Sequence, residues 1–472
     1  MKKKVLRILT IIILVLSFPL VMLLFGFGMP AQYGNTYYAV LPKMFKKLKD
    51  TEGKKIIVIG NSAVAFALNS QLVESEIEGY SVCPFGLYGA IGTKAMMDLS
   101  KVNIGEGDIV VLAPELQSQA LSLYFNSEYI WNAVDGDFSM LQYIKNGDNM
   151  AAGFVGYVGR KFNYYSNNSA PNPQDVYAAS SFDDNCTMIY DRPYNQLPLK
   201  YDAINRVAYE SEMFSPGFVE YLNEFNDYVN AQGANLLFGF TPVNVQGIAL
   251  GTTEEDIYNF YNEIDELLDC EILGSPFEYI LDSDWFYDSN VHVNSAGAVV
   301  YTDRLVRDLK AHLSDASPIE IEIPEKPQVP DVDETEEDGK DAALFTYEKV
   351  ENGWNITALT EEGKTATSIE IPNFYQGMKV LSFDASVFAG NTVIEEIYIG
   401  KYIYAIDGGA FDGCVNLQRL YLPKDIQPSD CIVYLDLLKG APNCKIYVPQ
   451  EKLLDYLYDY FWARYGAYIV GC

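Results

Sequence analysis

Residues 55–68 read KIIVIGNSAVAFAL. Ile56, Ile57, Val58 and Ile59 form an unbroken apolar run that ends at Gly60. Such a run reads as a strand buried on both faces of a parallel sheet. The segment after it, AVAFALNSQLVESEI, reads as a helix. Ser62 therefore stands between a strand and a helix, at the strand's C-terminal end, where open α/β sheets bind their ligands. Strand, glycine and serine alone are also what an ordinary helix cap requires.

Working outward, Ser81–Cys83 reads as a second strand. Ile109–Leu112 reads as a third, entered from the turn-like Gly105–Asp108. Phe218, Tyr221, Leu222, Phe225, Tyr228 and Val229 share one helical face, and Gly233 ends that helix before a fourth strand at Asn235–Phe240. Thr252 and Glu255 have the spacing of a capping box. The helix they would open carries Ile257, Phe260, Tyr261, Ile264, Leu267 and Leu268. A last amphipathic helix follows His292. Strands alternating with helices predict an α/β domain with a parallel sheet over 55–314. Residues 120–215, rich in Tyr, Asn and Asp, are expected as an insertion over that sheet.

The 472 residues hold only two histidines, His292 and His312. Any chemistry that needs an imidazole must use one of them. His312 lies late on the last helix beside Lys310, which suits a helix-dipole or solvent role. His292 lies in WFYDSNVHVN (285–294), four residues after Asp288. A serine nucleophile needs a base, and the base needs an orienting carboxylate. Ser62, His292 and Asp288 could supply all three.

On GNS (60–62) and FYDSNVHVNSAGA (286–298), residues 55–314 resemble the SGNH (GDSL-type) hydrolases. They are closest to the membrane-anchored branch that includes the D-alanine transfer protein of lipoteichoic acid and the alginate O-acetylation proteins. The resemblance implies a flavodoxin-like three-layer fold, with Ser62 as nucleophile, His292 as general base and Asp288 as its partner. It also implies an oxyanion hole built from the backbone N–H groups of Ser62 and Gly86, with Gln117 where the family has an asparagine. Three departures stand out. The family's acid lies three residues before the histidine, where this chain has Ser289, so Asp284 and Asp282 compete with Asp288. The block after the third strand reads APELQ (113–117), and Glu115 would oppose an oxyanion if it pointed inward. Asn61 replaces the aspartate of Gly-Asp-Ser.

Toward the C-terminus, VFAGNTVIEEIYIGKYIYAI and AFDGCVNLQRLYLPKDI align at a period of 23 residues. Phe388 matches Phe411 and Gly390 matches Gly413. Ile394, Ile397 and Ile399 match Leu417, Leu420 and Leu422. One short strand per turn, with apolar residues stacking between turns, is the physics of a solenoid. The pattern AF-x-G-C-x-N-L resembles BspA-type leucine-rich repeats, which implies a short repeat domain over 343–472. Residues 315–342, with four prolines and many acids, read as an extended acidic linker.

At the N-terminus, Ile8–Phe27 is a run of 20 residues without a charge, long enough for about 30 Å of hydrocarbon. Lys2, Lys3, Lys4 and Arg7 precede it, so the positive-inside rule leaves the N-terminus cytoplasmic and the rest outside. Residues 1–28 are expected as a basic start and transmembrane anchor, and 29–54 as a stalk. A cleaved signal peptide is the rival reading, with Gly26-Phe27-Gly28 a poor cleavage site; both export the body of the chain.

Composition removes several classes of function. With 33 Lys and Arg against 64 Asp and Glu, the net charge is −31, which argues against nucleic acid as a partner. The seven cysteines show no C-x-x-C pair, so a structural zinc site is not expected. No metal-ligand cluster, phosphate-binding loop or nucleotide motif is visible, and no cofactor is expected. Taken with the exported topology, the resemblance implies a single-pass protein of a Gram-positive cell membrane, a serine esterase or O-acyltransferase. Its acyl substrates would be on cell-surface glycans or teichoic acids, and transfer would draw on a membrane acyl-donor protein. The competing expectation is a surface adhesion protein that binds through its repeats and carries an inactive hydrolase fold.

Overall fold

The structure, a computed structural model, describes residues 17, 19–145, 149–197, 200–202, 205–327, 338–350, 352–424, 426–459 and 461–472. The chain divides into two compact units, Met1–Val329 and Pro330–Cys472.

In the first unit, β1 (Lys55–Gly60) is buried along its whole length, as its unbroken apolar run requires. It pairs in parallel with β2 (Ser81–Gly86) and with β3 (Ile109–Ala113). β4 (Asn235–Phe238) and β5 (Glu271–Ile272) extend the sheet in the order β2-β1-β3-β4-β5, again in parallel. The helices are α1 (Val40–Asp50), α2 (Ser62–Ala67), α3 (Ser70–Glu76), α4 (Thr93–Ser100), α5 (Ser127–Ala133), α6 (Met150–Asn167), α7 (Pro216–Ala231), α8 (Glu254–Leu267) and α9 (Ser295–His312). α1 packs on β2 and α4, α4 on β1 and α7, and α7 on β4, while α9 packs on α2 and α3. The chain is thus α/β with a parallel sheet. Gly60 is level with Gly86 on one side and Ala113 on the other. The segments leaving β1, β2 and β3 therefore emerge along one edge of the sheet.

Several expectations change. Residues 29–54 are not a stalk: Tyr33, Tyr37, Val40, Leu41, Met44, Phe45 and Leu48 are buried in the main core. The lysines of α1 mark only its outer face, and the apolar positions between them turn inward. The helix expected after Ser62 breaks at Leu68. Asn69 caps α3 by accepting from Leu72 N–H, and its own N–H goes to Thr302 Oγ1. The capping box before α8 sits one residue later than expected, between Thr253 and Asp256. The start of the linker is not free either, because Ile319 and Ile321 pack against the core. Lys310 Nζ also donates to Ser317 Oγ and to the Pro318 carbonyl; residues 328–337 lie outside the described residues.

Half of the expected span Ile8–Phe27 lies outside the described residues; residues 19–28 are helical. Among the described residues no helix is long and apolar enough to cross a membrane.

In the second unit, β6 (Ser368–Glu370), β7 (Glu396–Tyr398), β8 (Arg419–Tyr421), β9 (Lys445–Val448) and β10 (Ile469–Gly471) stack in parallel. Ile397 pairs with Leu420, which is the 23-residue offset of the sequence. Ile369, Ile397, Leu420, Ile446 and Ile469 are buried beneath the sheet. On the opposite face the rings of Tyr398, Tyr421 and Tyr447 stack at 4.4 and 4.8 Å. All seven cysteines are free thiols, and only Cys472 is exposed.

Candidate active site

Ser62 opens α2 just beyond β1. Two glycines let the helix settle on the strand ends. A Cβ on Gly60 would lie 2.4 Å from Val64 Cγ2 and 2.5 Å from the Ala113 carbonyl, and one on Gly86 would lie 2.6 Å from Val64 Cβ. Asn61 is buried. Its side chain reaches Thr93 Oγ1 at 3.4 Å and accepts from Glu115 N–H at 3.2 Å, which fixes the segment leaving β3 beside the serine.

His292 arrives from the other end of the chain. Phe286 and Val293 form an antiparallel bridge, Tyr287 N–H donates to the His292 carbonyl and Asn294 N–H to that of Trp285. Residues 285–294 are thereby a tight loop whose tip is 288–291. Ser289 Oγ accepts from His292 N–H at 3.0 Å. Asp288 and His292 face each other across that tip, with Asp288 Oδ1 2.7 Å from His292 Nδ1. His292 Nε2 lies 2.8 Å from Ser62 Oγ. Ser289 Oγ thus braces the loop that joins Asp288 to His292. The two competing carboxylates are engaged elsewhere: Asp284 pairs with Lys200 and Asp282 with Lys326. His312, the other imidazole, faces Glu271.

The surroundings hold the imidazole in place. The Phe66 ring lies flat against it, with centroids 4.0 Å apart and planes 10° apart. Arg192 is buried and donates to the Val293 and Phe66 carbonyls, so it ties the histidine loop to the end of α2. Burial lowers its guanidinium to about 10. Tyr177 donates to Asp288 Oδ2 at 3.2 Å. Burial first, and the Asp288 charge second, raise the Tyr177 hydroxyl well above its ordinary value, so it stays a donor. Tyr37 lies edge-on to Tyr177 at 5.7 Å. Its hydroxyl is buried and has no hydrogen-bond partner among the described residues.

On the side of Ser62 away from His292 the arrangement differs from the expected oxyanion hole. Glu115 is buried and points inward. Its Oε1 accepts from Ser62 Oγ at 2.8 Å and from Ala63 N–H at 3.0 Å. Among the described residues Gln117 makes only backbone bonds, its N–H to the Glu115 carbonyl and its carbonyl from Leu121 N–H, and it is Glu115 that reaches Ser62. Gly86 is the last residue of β2 and is pressed against Val64. The glycine that faces the site is Gly89, where an added Cβ would lie 3.9 Å from Glu115 Oε2 and from Asn61 Nδ2.

Ser62 Oγ carries one proton and has two acceptors. It can donate to only one of them at a time, so the contact to Glu115 competes with the contact to His292 that a nucleophilic serine needs.

Tyr37, Tyr177 and Arg192 were not marked as site residues by the sequence. Tyr37 sits in what read as a stalk, and the other two sit in the tyrosine-rich insertion, where no periodicity signals a role.

No protein-family model matches the chain, and no curated protein matches it. Among solved structures, the chain is similar to protein YXIM from Bacillus subtilis, with 12% identity, 56% of this chain and 57% of that chain covered, and a TM-score of 0.26. The chain thus spans little more than half the length of that relative, and a likeness of this depth carries no argument about fold or activity.

Proposed function

We propose that the first unit is an SGNH-type serine esterase or O-acyltransferase with a flavodoxin-like three-layer fold. Ser62 is its nucleophile, His292 its general base and Asp288 the carboxylate that orients the base. The observation that carries the reading is the unbroken line from Asp288 through His292 to Ser62, at 2.7 and 2.8 Å. The strand order and the position of Ser62 beyond β1 support it.

In the first half-reaction Ser62 Oγ bonds to the carbonyl carbon of an acyl ester, and its proton passes to His292 Nε2. The C–O bond to the leaving alcohol then breaks, and His292 returns the proton to that oxygen. An acyl-serine remains. Water or a sugar hydroxyl next gives its proton to His292 and attacks the acyl carbon; the bond from that carbon to Ser62 Oγ then breaks, and His292 returns the proton to Ser62. Before the first step Glu115 must leave Ser62, which frees Ala63 N–H.

The proposed setting is the outer face of a Gram-positive membrane, with Ile8–Phe27 as a single-pass anchor. The substrates are acyl groups of cell-surface glycans or teichoic acids, and an acyl-donor membrane protein serves the transfer variant. The second unit is a short BspA-type leucine-rich repeat domain. A second reading, an adhesion protein with a silent hydrolase fold, is favoured by one observation: Glu115 fills the side of Ser62 that an oxyanion would need.

The deciding experiment is fluorophosphonate labelling of the full chain in detergent, beside Ser62→Ala and Glu115→Ala. Labelling of wild type and Glu115→Ala, but not Ser62→Ala, is the expected result. Absence of label from a folded wild type and from Glu115→Ala would overturn the enzyme reading in favour of the adhesion protein.

A further inference from the structure

α6 is built inside out for a helix in water. It has 18 residues and two charges, Arg160 and Lys161. Both turn toward the protein. The Lys161 side chain is 1% exposed and bonds the equally buried Asp135 at 2.6 Å, with Tyr157 hydrogen-bonded to the same carboxylate. Arg160 reaches Glu128 and the Tyr33 hydroxyl. The opposite face carries Ala152, Val155, Gly159 and Phe162, at the spacing of one helical stripe, and all are exposed, Val155 at 53% and Phe162 at 49%. An amphipathic helix in water does the reverse.

This face continues into a second one. The helical residues 19–28 end against α6: Phe25 meets Phe162 edge-on at 5.5 Å, Phe27 stacks on Phe154, and Lys161 Nζ donates to the Gly26 carbonyl at 3.2 Å. Leu20, Val21, Leu23 and Leu24 are exposed beside it. They belong to the same uncharged run, Ile8–Phe27. A contiguous apolar surface of this kind marks a contact in a soluble protein. Its continuity with a run of membrane-spanning length names the occupant.

We propose that the outward face of α6 lies in a lipid bilayer, at the boundary of headgroups and acyl chains, as a second membrane contact beside the N-terminal helix. The inference rests on the anchoring of Ile8–Phe27 and not on the chemistry of Ser62. An interfacial helix buries its apolar face some 5–10 Å deep, which would hold the first unit against the membrane in one orientation.

The test uses the full chain in vesicles of phosphatidylcholine with phosphatidylglycerol. An environment-sensitive fluorophore is attached at Val155→Cys or Phe162→Cys, with Cys472→Ser removing the one exposed thiol. Tyr258→Cys on α8, a site 59% exposed, is the water-side control. Lipids with a quencher high on the acyl chain are expected to quench positions 155 and 162 several-fold more than position 258. Melting curves check each variant, and Ala152→Cys replaces any that fails to fold. Equal quenching at all positions, in chain that stays in the membrane through an alkaline wash, would overturn the inference and leave the anchor standing. Labels shielded from water but not quenched by lipid would assign the face to a protein partner and overturn it too. Release of the chain by the wash would overturn both anchor and inference.

Discussion

Ser62 has two neighbours at the same distance and with opposite consequences. On one side His292 Nε2 lies 2.8 Å from its oxygen, backed by Asp288, steadied by Phe66 and braced by Ser289. On the other side Glu115 Oε1 also lies 2.8 Å away, on the Ala63 N–H that an oxyanion could use. On the proposed reading the first neighbour would activate the serine as a nucleophile, and the second occupies the side where an oxyanion would form. The two sides come from different segments of chain, the loop of residues 285–294 and the segment leaving β3.

The largest effect should come from breaking the base side. His292→Ala is expected to slow acylation of Ser62 by an activated ester about a thousandfold or more, and Asp288→Asn by a comparable factor. Stopped-flow acylation of folded variants checks both, and a loss under tenfold would take His292 out of the mechanism. Next comes the support behind it. Arg192→Met leaves the Phe66 and Val293 carbonyls without their buried donor and should cost about 2–3 kcal/mol of stability, seen as a lower denaturant midpoint. The opposite side is expected to reverse the sign: Glu115→Ala should speed fluorophosphonate labelling roughly tenfold, about 1.4 kcal/mol, a part of what a freed oxyanion donor is worth. A slower rate would make Glu115 a participant rather than a plug. The smallest change is Tyr177→Phe, which deletes one donor to Asp288. A roughly threefold loss in the acylation rate, about 0.7 kcal/mol, fits one hydrogen bond to a charged group that solvent can partly replace.

The two sides were not equally legible. β1 with Ser62, and the loop with Asp288 and His292, could be read because a buried parallel strand leaves an unbroken apolar run and because histidines are so scarce. The 23-residue period was legible because stacked strands must present the same buried position at each turn, as Ile397 and Leu420 do. The direction of Glu115 was not. A carboxylate after a strand is ordinary on a surface; here the Asn61 contact to its backbone and the Ser62 and Ala63 donors to its carboxylate hold it inward. α1 escaped notice because its lysines outnumber the acids around it and hide five buried apolar positions, Val40, Leu41, Met44, Phe45 and Leu48. Tyr177 and Arg192 act through long-range contacts to Asp288, Phe66 and Val293, which no local pattern encodes.

The tyrosine column of the second unit has a further consequence. Its three middle strands offer one another the same two surfaces, an aliphatic floor and an aromatic edge, while Glu370 and Val470 take the tyrosine's place in the first and last strands. The series ends where Trp462 is buried and donates to the Pro428 and Cys431 carbonyls. Nothing in a middle turn depends on how many others there are. Copy number is therefore a free variable: duplicating one 23-residue segment would advance the terminal cap by one strand spacing, about 4.8 Å, and leave every existing interface as it was.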